Sequence, residues 1–151
     1  MLLYIIDGFN VVHKIKNLKA SAKPHQDLVN YIKRNKLTGS RNNKVLIVFD
    51  GNMPFGFSRD QDFEVIFSQD ESADEIIKRK LYKLKNKTEA VIVSDDREIK
   101  DAAKREGAKI CPVYDFIAIK KKKEPSDEKQ ISYVLQQEIT DQMRKIWLSE
   151  E

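Results

Sequence analysis

A chain of 151 residues with one cysteine, Cys111, can form no internal disulfide, and that scarcity fits a reducing, cytoplasmic setting. The place of Cys111 in the apolar run Ile110-Cys111-Pro112-Val113 reads as a small buried side chain rather than a reactive thiol. Long uncharged apolar runs are also missing, which argues against a membrane helix or a signal peptide. The five glycines form neither the G-x-G-x-x-G of a dinucleotide fold nor the G-x-x-x-x-G-K-S/T of a P-loop. Phe9 stands where a D-x-D phosphatase would need its second acid. The two histidines, His13 and His25, lack paired ligand spacing and are expected on the surface.

What remains is a charged chain able to bury one core, with 34% charged and 40% hydrophobic residues. The net charge is only +4, yet its distribution is uneven. Residues 1–50 hold nine Lys/Arg against three Asp/Glu, and residues 51–100 hold nine against eleven. Basic residues of the first third, including Lys14, Lys33, Arg34, Lys36 and Arg41, are therefore expected to flank an acidic centre and to grip phosphates. An ordinary solvated lysine surface is the plain alternative.

Three apolar runs end in acids: Leu2-Leu3-Tyr4-Ile5-Ile6-Asp7, Val45-Leu46-Ile47-Val48-Phe49-Asp50 and Ala90-Val91-Ile92-Val93-Ser94-Asp95-Asp96. Such runs read as buried parallel strands, and open α/β sheets place ligand sites at the carboxyl ends of their strands. Carboxylates gathered there repel one another, and a hard divalent cation, Mg²⁺ or Mn²⁺, is the usual reason such a cluster persists.

Strands alternate with helices along the chain, the pattern of a mainly parallel sheet covered on both faces. A helix opens at Pro24, and Phe63, Val65 and Phe67 form a strand near a sheet edge. Ser72-Ala73-Asp74-Glu75 is a capping box for a helix to Lys85. Asp95-Asp96-Arg97-Glu98 opens another helix that Gly107 ends, and Ile110 to Val113 is a fifth strand. Gly51 to Arg59 is too irregular for an element and is a candidate substrate loop. Lys120 to Lys123 read as a basic hinge. Beyond it, Ile131, Val134, Leu135, Ile139, Met143, Ile146 and Trp147 recur at helical spacing, as a terminal helix that packs on the domain or mediates dimer contact.

Ile6-Asp7-Gly8-Phe9-Asn10-Val11-Val12 resembles the D-G-x-N opening of NYN domains, which are PIN-like nucleases, and of their YacP-like branch in particular. Ser72-Ala73-Asp74-Glu75-Ile76-Ile77 is similar to that branch's S-A-D-D/E-x-I element, and Val93-Ser94-Asp95-Asp96 resembles its strand-end S-D element. The resemblance implies a three-layer α/β/α PIN-like domain over residues 1–119, to which residues 120–151, the basic hinge and added C-terminal helix packed on the same domain, contribute little. It also implies a metal-dependent endoribonuclease that cuts RNA phosphodiester bonds, with ribosome-associated mRNA cleavage as the finer expectation.

Carried over residue by residue, Asp7, Asp74 and Asp95 match the acidic positions and Asn10 their polar companion. These three acids are expected to hold the metal, with Asp96 and Asp50 as further candidates. Asn10 and Ser94 are expected on the crevice rim, positioning a phosphate or water, while Lys33, Arg34 and Lys36 bind substrate. Each acid also has a structural reading: Asp74 and Asp95 suit helix N-termini, and Asp50-Gly51 suits a turn. RNA against DNA, nuclease against a noncatalytic RNA- or ribosome-binding adaptor, and the oligomeric state stay open in the sequence.

Overall fold

The computed structural model describes residues 1–40 and 42–122, the side chains of 120–122 excepted. The expected C-terminal helix, Lys123 and Arg41 lie outside the described residues. Five parallel strands form one sheet: β1 (Leu3–Asp7), β2 (Lys44–Phe49), β3 (Glu64–Phe67), β4 (Ala90–Val93) and β5 (Lys109–Cys111), in the order β3-β2-β1-β4-β5. The expected α/β class holds, and β3 lies at an edge as its alternation suggested.

Among the described residues, six α-helices accompany the strands: α1 (Gly8–Val12), α2 (Lys16–Lys19), α3 (Pro24–Arg34), α4 (Ala73–Lys83), α5 (Arg97–Glu106) and α6 (Val113–Lys122). Strand side chains alternate between sheet faces, so each central strand feeds two cores. Ile5, Leu46, Val48, Ala90 and Ile92 pack with Ile76, Ile77 and Leu81 of α4 and Ile99, Ala102 and Ala103 of α5. On the other parity, Tyr4 meets Phe116 of α6, and Phe49 meets His25 of α3. Burial on both faces explains why β2 and β4 read as continuous apolar runs.

Local signals set most boundaries. Pro24 begins α3, where its missing N–H costs nothing, and Lys33 and Arg34 complement the dipole of its last turn. Ser72 caps α4 by accepting from the Glu75 N–H at 3.1 Å. Gly107, at φ 84°, closes α5 in the left-handed region. Two expectations shift. Val113 leaves the fifth strand and begins α6, and Lys120–Lys122, expected in a hinge, continue that helix.

Candidate functional site

Chain order runs from β1 to β2 and β3 on one side, then crosses to β4 and β5 on the other. The switch point therefore lies between β1 and β4, where an open parallel sheet leaves a crevice at its carboxyl ends. Asp7 ends β1 there, and Ser94-Asp95-Asp96 follows β4. Asp7 shares the parity of Leu3 and Ile5, so it faces the layer in which α4 and α5 begin.

Asp7 is only 7% exposed, and Ser94 is wholly buried. Asn10 Nδ2 donates to Asp7 Oδ2 at 3.0 Å, and Ser94 Oγ donates to the same oxygen at 3.2 Å. The outer atoms of both side chains are also used: Asn10 Oδ1 accepts from the Asp95 N–H at 2.9 Å, and Ser94 Oγ accepts from the Asp96 N–H at 3.0 Å. The result is a closed net that fixes the β4–α5 turn to the end of β1. Ser94 is thus beneath the crevice, not on its rim, because its one hydroxyl is spent inside the protein.

Burial raises the Asp7 carboxyl to a pKa of about 6, with repulsion from Asp50 and Asp96 adding to it. Hydrogen bonds from Ser94 and from the Asn10 backbone pull the other way without cancelling it. Two of the five expected acids, Asp50 and Asp96, are therefore the charges that Asp7 feels. Asp50 is exposed, and its Oδ1 accepts from the Ala73 N–H at 2.8 Å, tying the end of β2 to the start of α4. Asp96 caps α5 by accepting from the Ile99 N–H at 3.2 Å, one residue later than the Asp95 cap the sequence suggests.

Asp74 and Asp95 face other partners. Asp74 forms an i,i+4 pair with Lys78 at 3.5 Å, while its Oδ1 is buried and unpartnered. Lys78 also reaches Glu98 at 3.2 Å, bridging α4 and α5. Asp95 Oδ1 accepts from the Val113 N–H at 3.0 Å and so anchors the start of α6, with Lys14 3.6 Å from its other oxygen. Lys78 is the residue that sequence reasoning passed over; the D-x-x-x-K spacing after Asp74 was its signal.

Among the described residues, no three His, Cys, Asp or Glu side chains are gathered closely enough to cage a metal. The donor chemistry still suits a hard cation, since all the groups are carboxylate oxygens, one of them orphaned, and Asp7 is destabilised when charged. Mg²⁺ needs only one or two protein carboxylates when waters and substrate phosphate complete its shell.

Gly8 follows Asp7 for a packing reason. A Cβ there would lie 2.4 Å from the Phe49 ring, which is closer than any side chain tolerates. Phe49 belongs to an aromatic group with Phe9 (5.3 Å between centroids), Phe67 (5.8 Å) and His25 (4.7 Å). His25 is half-buried in this group rather than on the surface, and burial lowers its pKa. His13 is exposed and stacks on Phe9.

Lys33, Arg34 and Lys36 lie elsewhere. Lys33 and Lys36 line a cleft with Asn43 and Lys44 at the amino ends of the strands, the edge opposite Asp7. Lys33 is committed there to Asp60 at 2.9 Å and Asp62 at 3.3 Å. The expectation that these cations border the crevice is corrected for a simple reason: α3 starts near Phe49 and ends near Lys44, so its last turn points away from the acids. Among the described residues, the cations paired with expected site acids are Lys14, with Asp95, and Lys78, with Asp74.

A five-stranded parallel sheet with acids at the carboxyl ends of its strands is an open α/β domain with its ligand edge at the switch point. The chain belongs to the YacP-like NYN domain family, whose model matches residues 4–151. The fold is also similar to the crystal structure of Rae1 (YacP) from Bacillus subtilis, with a TM-score of 0.66 and 22% identity over 87% of this chain and 80% of that one. A tryptophan-to-leucine mutant of the same protein matches with a TM-score of 0.63 and 22% identity over 85% and 80%. No curated protein matches the chain.

Proposed function

We propose that this protein is a metal-dependent endoribonuclease that hydrolyses RNA phosphodiester bonds, with Mg²⁺ or Mn²⁺ as cofactor. The observation that carries this reading is Asp7, a buried carboxylate raised to a pKa of about 6 beside Asp50 and Asp96 at the switch point of a nuclease-type fold. A neutral acceptor could take the same hydrogen bonds from Asn10 and Ser94 without the cost of a buried, mutually repelling charge, so the net alone does not account for the acid. Asp7 is the first residue we assign to the cation, with one further carboxylate, Asp50 or Asp96, and waters to complete its shell. When bound, the cation supplies charge neutralisation at a phosphoryl oxygen and acidifies an attacking water.

The chain's own groups do the rest. Asn10 and Ser94 orient Asp7, and Asp95 holds the start of α6 against the crevice. Lys14 and Lys78 lie where a phosphate backbone would approach, each close to an acid that keeps it extended. RNA, presented alone or on the ribosome, is the partner this arrangement suits.

The test is incubation of the protein with single-stranded RNA, structured RNA and DNA, with Mg²⁺, Mn²⁺ or EDTA, with and without ribosomes. Internal cuts in RNA that need the metal are expected. RNA left intact in every metal-containing arm, while still bound, would make the protein a noncatalytic adaptor.

A further inference from the structure

The segment between β2 and β3 is a built display rather than a slack connection. At its start, Gly51 N–H donates to Ser68 Oγ at 3.0 Å, and Gly51 O accepts from the Gln69 N–H at 2.9 Å. At its end, Ser58 N–H donates to Gln26 Oε1 at 2.9 Å and Arg59 Nη1 donates to Val65 O at 2.8 Å. Phe57 packs edge-on against Phe67, 5.2 Å between centroids. Within these anchors, Phe57 N–H donates to Pro54 O at 3.2 Å across a turn in which Gly56 takes φ 84°. Phe55 sits at the first central position of that turn and is fully exposed, and Met53, two residues earlier, is exposed as well.

Two facts select the occupant. Residues 52–58 carry no charge, so this tip neither repels a polyanion nor grips its phosphates. One phenyl ring and one methionine are also far short of the roughly 800 Å² per partner that a stable protein interface covers, yet one ring matches one base. The loop springs directly from Asp50, one of the two charges that Asp7 feels. We infer that Phe55 is a stacking platform for one unpaired nucleobase of an RNA whose backbone lies along the crevice. This inference rests on the reading of the crevice as a phosphodiester site.

Binding measured in EDTA separates the two claims, because no metal-dependent cutting runs there. A short labelled single-stranded RNA, the same sequence paired as a duplex, and the same backbone with abasic positions are titrated against wild type, Phe55→Ala and Phe55→Trp. Phe55→Ala should weaken single-strand binding about tenfold or more, leave duplex and abasic binding unchanged, and keep the melting temperature of wild type. Phe55→Trp should restore affinity, with its indole emission quenched on binding. Unchanged single-strand affinity in Phe55→Ala would overturn the platform, as would an equal loss on the abasic backbone. Metal-dependent cleavage by wild type, assayed separately, judges the nuclease reading whichever way this result falls.

Discussion

The two edges of one sheet make opposite use of charge. At the carboxyl edge, Asp7 is buried without a cation of its own, held by neutral donors and raised to a pKa of about 6. At the amino edge, Lys33 is exposed and answered by Asp60 and Asp62, which raise its pKa, chiefly through the hydrogen bond from Lys33 to Asp60. The first arrangement stores unfavourable charge in low dielectric, whereas the second dissipates charge in solvent. A protein tolerates the former where something else is to be bound, and the latter anywhere.

The largest difference should appear in cleavage. Asp7→Asn should lower metal-dependent RNA cutting by about a hundredfold or more, while RNA affinity in EDTA stays equal or rises. Lys33→Ala should leave the rate at the wild-type level. A time course beside a binding titration measures both, and an active Asp7→Asn protein would erase the distinction between the edges.

Stability should separate them next, through pH. The folded pKa of Asp7 lies above its unfolded value, so between about pH 4 and 6 the native state binds the extra proton and loses stability as pH rises. Above that window the cost is complete, roughly 2–3 kcal/mol in wild type. Asp7→Asn should therefore melt higher than wild type at pH 7, and the gap should close towards pH 4. Melting curves at several pH values check this, and a gap independent of pH would remove the buried-charge argument.

Packing at the same edge gives a comparable effect without charge. Gly8→Ala should cost about 1–3 kcal/mol, read by denaturant titration, because its methyl would enter the Phe49 ring. The smallest effects belong to the lysines. Lys33→Ala should cost about 0.2–1 kcal/mol and leave the salt dependence of RNA binding as it is. Lys14→Ala should make that dependence shallower by about 0.7 in the log–log slope if it meets one phosphate of a single strand. The reverse pattern would move the nucleic-acid surface to the amino edge.

Much of the fold was legible in the chain because its signals are local. The runs ending at Ile6, Phe49 and Val93 are almost wholly apolar, as parallel strands covered on both faces require. Ser72 and Gly107 marked a helix start and a helix end by chemistry that acts within a turn. The site was legible only as a set of candidates. The sequence put Asp7, Asp74 and Asp95 first with Asp96 and Asp50 as further candidates, and spacing alone could not tell which of them Asp7 feels.

By itself, then, the sequence determined the strands, the α/β class and the position of acids at the carboxyl ends of strands, since periodicity and strand polarity are properties of short segments. Only the tertiary structure decided which acids Asp7 feels and which face other partners. It turned Asp95 to the Val113 N–H, gave the α5 cap to Asp96, buried Ser94 under the crevice and drew His25 into the Phe9, Phe49 and Phe67 group. It also carried Lys33 and Lys36 to the far edge, because a helix returning antiparallel to its strands separates its two ends by the length of the sheet. Burial, repulsion and hydrogen-bond direction depend on distances between segments remote in sequence, and these are set when the layers pack.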